Sequence, residues 1–513
     1  MSETARSAPG ALEKAPDSNR WKALVFIALA QLMVVLDATI VNIALPSAQQ
    51  DLGISDGNKQ WVITAYALAF GGLLLFGGRI ADLWGRKRAF VIGLIGFAGA
   101  SALGGAATTG AMMFGARALQ GVFGAMLAPA ALSLLAVMFT DAKERAKAFG
   151  IYGAIAGGGG AVGFILGGVL TEYLDWRWTF FVNIPFAIVA ALGAYFVIRE
   201  PEGGRNRNPL DIPGVLLSTL GLVSLVYGFT RAESDGWGDS LTVGLFVASA
   251  LLLLAFAVTE SKVKAPLLPL RVVTDRNRGG VYLSLGIAII AMFGTFLFLT
   301  YYLQVIKGFS PIETGFAFLP MVAGMMIGST QIGTRLMTRV PARTLMGPGF
   351  LVAAAGMLLM TQLEIGSSYA STILPAMLLL GLGMGTAFMP AMSLATLGVE
   401  PRDAGVASAM VNTSQQVGGA IGTALLNTIA ASATTAYIKD HIATATSKQQ
   451  AQLVQMQGAV HGYTNAIWFA VGMLVLAALI VVTFVNAGRP GATAVSGAVE
   501  GVEDEVAVPV VVH

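Results

Sequence analysis

The chain contains no cysteine among its 513 residues. Disulfides, iron–sulfur clusters and thiolate metal sites are therefore excluded. Charge is also scarce, with Asp, Glu, Lys and Arg making up 12% of the residues, against about 25% in an average soluble domain. A soluble chain of this length would divide into two or more domains, each needing a polar surface, and there is too little polar material to cover them. The three histidines, His441, His461 and His513, all lie outside the apolar runs, which argues against heme or an embedded histidine site. No Gly-Lys-Ser/Thr phosphate loop, His-Glu-x-x-His pair or serine-nucleophile elbow occurs, so neither direct ATP use nor hydrolysis is expected. Gly158-Gly-Gly160-Ala-Val-Gly163 formally fits the dinucleotide glycine pattern, but it sits in an apolar run and follows no strand. The first residues are polar and lack a short apolar core with a cleavage site, so no cleavable signal is expected. An enzyme, a cofactor, a bound metal and a nucleic-acid partner are all disfavoured.

What is abundant is apolar area: 55% of the residues are hydrophobic and 63 are glycine. A lipid-facing exterior reconciles the apolar surface with folding, and small residues let helices approach closely in lipid. A bilayer core of about 30 Å takes roughly 20 apolar residues per helix. On that measure fourteen spans are predicted, at about 21–45, 60–80, 88–108, 111–138, 147–170, 176–198, 210–230, 241–259, 279–304, 311–334, 343–363, 371–397, 405–430 and 462–487. Residues 1–20 form an N-terminal tail, 431–461 an external loop, and 488–513 a disordered C-terminal tail. With the N-terminus placed in the cytoplasm, 24 of the 31 basic residues fall at internal ends, six at external ends, and Arg117 inside a span. That is the bias of the positive-inside rule, with both termini cytoplasmic in a plasma (inner) membrane.

The chain also repeats itself. Gly124-Ala-Met-Leu-Ala-Pro129-Ala130 recurs as Gly385-Thr-Ala-Phe-Met-Pro390-Ala391, and the loop from Gly78 to Arg88 has a degraded echo from Gly333 to Arg343. Two six-helix halves, 21–198 and 279–487, then flank an inserted two-helix hairpin at 210–259. Paired halves around a midplane site are a transporter architecture. The predicted fold class is all-α integral membrane with fourteen transmembrane helices.

Embedded polar residues mark the chemistry. Asp37 lies in the first span, where an acid costs about 2.5–3.5 kcal/mol to insert. It should face protein or water and mark an ion or substrate pathway, although a neutral aspartate closing a helix–helix hydrogen bond would also explain it. Arg117 is the second embedded charge, with Gln120, Gly121 and Gly124 on its helix face; a structural arginine is the alternative. Asn412, Gln415, Gln416 and Gly419 repeat that spacing in the thirteenth span, as a cavity wall or as interhelical glue. Trp61, Tyr66, Phe298, Tyr301 and Gln304 could line an aromatic cavity or anchor the interfaces.

Four motifs carry a resemblance. Leu36-Asp-Ala-Thr-Ile-Val-Asn-Ile-Ala-Leu-Pro46, Gly78 through Arg88, Arg117-Ala-Leu-Gln-Gly121, and Trp176-Arg-Trp178 with Phe180, Asn183 and Pro185 resemble motifs of the fourteen-helix drug:proton antiporter family of the major facilitator superfamily. The resemblance covers about residues 21–487. It implies proton-coupled export of lipophilic small molecules by alternating access, from a monomer in lipid. Asp37 and Arg117 would couple protons, and Gly78, Asp82, Gly85, Arg86 and Lys87 would form a conformational latch. Gly163, Gly167 and Gly168 would form the helix-packing antiporter motif. Asn42, Trp61, Tyr66, Gln120, Tyr301, Gln304, Asn412, Gln415 and Gln416 are the substrate-binding candidates. One departure stands out: Phe164 occupies the position where the family motif has proline. The rival expectations are an uptake symporter of the same fold and a non-transporting membrane sensor.

Overall fold

The computed structural model describes residues 19–139, 141–198, 211–264, 266–337, 339–396, 399 and 404–486. Its long helices are α1 Arg20–Leu52, α2 Trp61–Trp84, α3 Arg86–Gly105, α4 Gly110–Met138 and α5 Ala142–Tyr173. They continue as α6 Trp178–Val197, α7 Ile212–Ser234, α8 Ser240–Lys262, α9 Arg276–Ile306 and α10 Pro311–Met337. The last four are α11 Arg343–Met360, α12 Tyr369–Ala395, α13 Ala404–His441 and α14 Lys448–Phe484. Among the described residues, thirteen of these are long and apolar enough to cross a membrane. The fourteenth, α5, is 32 residues long. At 1.5 Å per residue the 33-residue α1 is about 50 Å long, more than a bilayer core requires.

Local chemistry sets the helix ends. Thr109 caps α4 through Met112 N, Asp239 caps α8, Asp275 caps α9, and Ser310 with Glu313 makes a capping box at the start of α10. Each supplies an oxygen to an otherwise unpaired backbone N–H. Gly53 ends α1 at φ 62°, and Gly85 separates α2 from α3 at φ 101°. Both lie in the left-handed region, where a side chain would be strained.

The helix neighbours repeat between the halves. As α2 packs on α4 and α3 on α4, so α10 packs on α12 and α11 on α12. The pairs α1–α5, α1–α6 and α3–α6 have counterparts in α9–α13, α9–α14 and α11–α14. The fold is two six-helix halves with an inserted hairpin. Of its most apolar window, α8 buries 11%, whereas α2 buries 61%, so α8 faces lipid and α2 sits at the centre. The hairpin is not detached: α7 packs on both α2 and α13, and Thr428 Oγ1 donates to Phe229 O at 2.9 Å.

The segment 431–461, expected to be an external loop, is helical over most of its length. Helix α13 runs to His441 and α14 starts at Lys448, capped by Ser447. Its Ala, Thr and Gln residues are polar enough to leave lipid yet compatible with helix. Tyr437 binds the two ends together, stacked on His441 at 4.1 Å and tilted over His461 at 5.0 Å. The predicted tails lie mostly outside the described residues, as does 199–210.

Candidate functional site

Within α1 the apolar stretch 23–46 holds one acid, Asp37, which is fully buried. An isolated carboxylate there would be very costly, and four polar groups from three other helices surround it. Arg117 of α4 donates from Nη1 to Asp37 Oδ2 at 2.7 Å, and Gln120 Nε2 donates to Oδ1 at 2.8 Å. Asn183 Nδ2 of α6 also donates to Oδ1, at 2.9 Å. Ser101 Oγ of α3 accepts from Gln120 at 2.6 Å and from Asn183 at 3.3 Å. Arg117 uses its Nε on Val62 O at 2.8 Å and shares Nη1 with Gln120 Oε1 at 2.7 Å. Its guanidinium lies over the Tyr66 ring at 4.4 Å, with Phe180 at 5.9 Å. Cation–π contact of this kind gains strength when water is excluded. The result is a buried, hydrogen-bonded ion pair in the core of the N-terminal half.

The network is tied to the seam between halves through α5. A methyl group on Gly163 would collide with Thr39 Oγ1, and one on Gly167 would stand 3.1 Å from Ile40 Cα. These glycines therefore seat α5 directly on the turn of α1 that follows Asp37. On its other side α5 meets the C-terminal half: a methyl on Gly168 would lie 2.6 Å from Ile312 Cα. Phe164, at the position of the family's proline, stacks on Phe318 of α10 at 4.8 Å and lies 5.8 Å from Phe296 of α9.

Four hydrogen bonds cross between halves at the end holding the 53–60 loop. Gln304 Nε2 donates to Ile43 O at 2.9 Å, and Tyr301 Oη donates to Gln49 Oε1. Asn427 Nδ2 donates to Gln60 Oε1 at 3.1 Å, and Ile312 N donates to Glu172 Oε2 at 3.0 Å. Lys59 Nζ sits 3.9 Å over the Tyr301 ring. The last turn of α9, Tyr302–Ile306, is wound as a π-helix, a local widening common at functional sites. It begins just after Tyr301 and carries Gln304.

The remaining predicted positions are spread among several environments. Gln120 lies inside the Asp37 network, fully buried. Tyr66 is buried under Arg117, and its hydroxyl has no hydrogen-bond partner. Asn42 donates to Ala38 O at 2.9 Å within α1. Trp61 leans on Tyr227 of the hairpin, ring centroids 6.3 Å apart. Asn412, Gln415 and Gln416 are half-buried on α13, and the Gln416 Cβ closes on Gly71 of α2, where an added methyl would stand 2.7 Å away.

In the loop motif, Gly78 faces Pro129, and Lys87 Nζ donates to Tyr195 O at 2.6 Å. Arg79, next to the proposed latch, donates to Pro266 O at 2.8 Å. The Asp82 side chain lies outside the described residues. Ser101 and Asn183 were not singled out as partners of Asp37. The signal for Ser101 is a small polar residue within an apolar span, and Asn183 stands in the Trp176-to-Pro185 motif without a role assigned to it. Among the described residues, no three His, Asp or Glu side chains converge as a metal site.

Comparisons with known proteins agree with this architecture. A sequence profile described as the Major Facilitator Superfamily matches residues 27–423. The puromycin resistance protein of Streptomyces alboniger is 53% identical, over 91% of each chain. The cephamycin export protein of Amycolatopsis lactamdurans is 38% identical, over 80% of this chain and 85% of that one. The tetracenomycin C resistance and export protein of Streptomyces glaucescens is 33% identical, over 80% and 76%. Among solved structures, a bacterial homologue of the human lysosomal transporter Spinster, captured inward-facing and unoccupied, superposes with TM-score 0.62 at 18% identity. That match covers 91% of this chain and 98% of the other.

Proposed function

The chain belongs to the major facilitator superfamily, and on that footing we propose that it exports lipophilic small molecules, antibiotics among them, in exchange for protons. Three relatives bear names of resistance to or export of different antibiotics. Puromycin is the first compound to test, because the relative named for it is 53% identical. The charge bias supports a plasma (inner) membrane protein with both termini cytoplasmic, which makes the 53–60 end, where the halves are hydrogen-bonded, external. We take the working unit to be a monomer.

The observation that carries the coupling is the buried Asp37–Arg117 pair and its mechanical path. Among the described residues, Asp37 is the one acid with an arginine, a glutamine and an asparagine all directed at it. A proton arriving on Asp37 cancels its charge and releases Arg117, so the α1–α4–α6 contacts must rearrange. The next turn of α1 is interlocked with Gly163 and Gly167, and α5 carries Gly168 and Phe164 into the opposite half. Proton occupancy thereby biases the external seam, and release of substrate outside alternates with proton entry. Asp82, Arg86 and Lys87 latch the cytoplasmic ends when the halves close there. Tyr66, Tyr301, Gln304, Asn412 and Gln415 offer apolar area with a few hydrogen-bonding groups to the substrate, as small-molecule pockets usually do.

Puromycin efflux from cells expressing the wild-type chain, with and without a proton uncoupler, tests this function. Uncoupler-sensitive efflux, and resistance above that of cells lacking the chain, are expected. Efflux unaffected by the uncoupler would refute proton exchange, and loss of efflux across a panel of lipophilic compounds would refute export.

A further inference from the structure

The base of the hairpin holds two buried carboxyl groups that the Asp37 mechanism does not use. Asp211 stands just ahead of α7 and caps it, its Oδ1 accepting from Gly214 N at 3.0 Å. Glu260 lies in the last turn of α8, and its Oε2 accepts from Leu268 N at 2.9 Å. The residues are 4% and 3% exposed. One oxygen on each, Asp211 Oδ2 and Glu260 Oε1, is buried with no hydrogen-bond donor. The two carboxyl groups face each other across Gly214. They converge over Gly214, where an added methyl would lie 2.6 Å from Glu260 Oε1 and collide with Asp211 Oδ2.

Among the described residues, the surroundings supply no compensating charge. Leu267, Leu268 and Val215 line the pair and are buried. The nearby cations among the described residues are Lys262 and Lys264, both exposed, and Arg79 of α2, which gives a nitrogen to Pro266 O. Among the described residues no cation donates to either carboxyl group. Two ionised carboxylates facing each other in apolar surroundings repel, and a shared proton relieves the repulsion.

We propose that Asp211 and Glu260 form a second proton-binding site, in which one proton bridges Asp211 Oδ2 and Glu260 Oε1. The proton turns two donorless acceptors into a donor and an acceptor and closes the base of the hairpin. The site also has a lever. Glu260 holds the 263–269 linker through Leu268 N, and the same linker holds Arg79 at the latch end of α2 through Pro266 O. Loss of the proton leaves like charges facing each other and pushes the linker, and with it the tether to α2, away from the hairpin.

Infrared spectroscopy of the purified full-length protein in lipid nanodiscs, at mildly acidic pH, tests the site directly. A protonated carboxylic acid shows a C=O stretch that an ionised carboxylate lacks. The wild type should show such a band from this pair, and the band should survive Asp37→Asn. Either Glu260→Gln or Asp211→Asn should remove it. Both variants are built to fold: the Gln amide donates where the proton did while still accepting from Leu268 N, and Asn keeps the cap of α7. Absence of the band from the wild type, or its persistence in both amide variants, would overturn the proposal. So would a pair that stays ionised while binding Na⁺, K⁺ or Mg²⁺, seen as a cation-dependent shift of the carboxylate bands that Glu260→Gln abolishes.

Discussion

At the scale of single residues, the arrangement around Asp37 changes what its removal should do. From the sequence, Asp37→Asn is expected to end coupling while easing insertion, because a charge leaves an apolar helix. The structure shows that the charge is half of a pair, 2.7 Å from Arg117. Asn would leave a buried guanidinium without its counter-ion, and removing one partner of such a pair typically costs about 3–5 kcal/mol. We therefore expect Asp37→Asn to lower the melting temperature clearly as well as to abolish uncoupler-sensitive efflux. Adding Arg117→Gln should restore most of the melting temperature and none of the coupling. If the double variant is no more stable than Asp37→Asn, the pair is not an isolated electrostatic unit. Arg117→Lys should also be damaging, since a lysine cannot serve Val62 O, Asp37 and Gln120 together as the fork does.

In the proposed mechanism individual helices carry the signal to the seam, and α5 is the one to test. Its glycines face two partners: Gly163 and Gly167 receive α1, and Gly168 receives α10. Phe164 replaces the proline of the family pattern and removes the expected break in the helix. In its place the helix gains an aromatic plug against Phe318 and Phe296. Gly168→Val should hold the external seam apart, because branched carbons cannot fit 2.6 Å from Ile312 Cα. Because the chain has no cysteine, a single reporter can be read cleanly. Leu45→Cys is buried in the cluster shared with the C-terminal half, and a membrane-impermeant maleimide added outside should label it slowly. Gly168→Val and Phe164→Ala should each raise that rate by about fivefold or more, equivalent to about 1 kcal/mol of population shift. Unchanged labelling in both would detach α5 from the gate.

Two expectations belong to the whole molecule. Alternating access requires the seam between α2 and α13 to open and close, and Gln60 and Asn427 touch across it at 3.1 Å. A double variant Gln60→Cys/Asn427→Cys, closed by a short bifunctional thiol reagent, should stop efflux, and a reducible linker should restore it on reduction. Transport at the uncross-linked rate would exclude rocking about this seam. The charge inventory also bears on substrates. Among the described residues, the deeply buried acids of the two halves reduce to Asp37, already committed to Arg117, Gln120 and Asn183. A dication at midplane would leave an uncompensated charge, at a cost of several kcal/mol. In competition assays with matched dyes, monovalent cations should be preferred over divalent ones, and the reverse order would contradict the single-acid cavity.

Local composition alone determined the class of this protein. The span count, the bias of basic residues to one set of span ends, the repeat of Pro129 in Pro390 and the embedded charges Asp37 and Arg117 depend only on neighbours in the chain. Hydrophobicity and charge act through the bilayer on each segment separately. Residues 431–461 were misjudged because polarity decides whether a segment stays in lipid but not whether it stays helical. Everything that depends on the rotation and depth of one helix against another was settled by packing. Asn183 meets Asp37 from 146 residues away in the chain, and Ser101 meets Gln120 because α3 and α4 are in register at that depth. Asp211 and Glu260, each unremarkable at a helix end, become a pair only when α7 and α8 close against each other. Side-chain convergence of that kind is set by helix packing in three dimensions, which no single segment specifies.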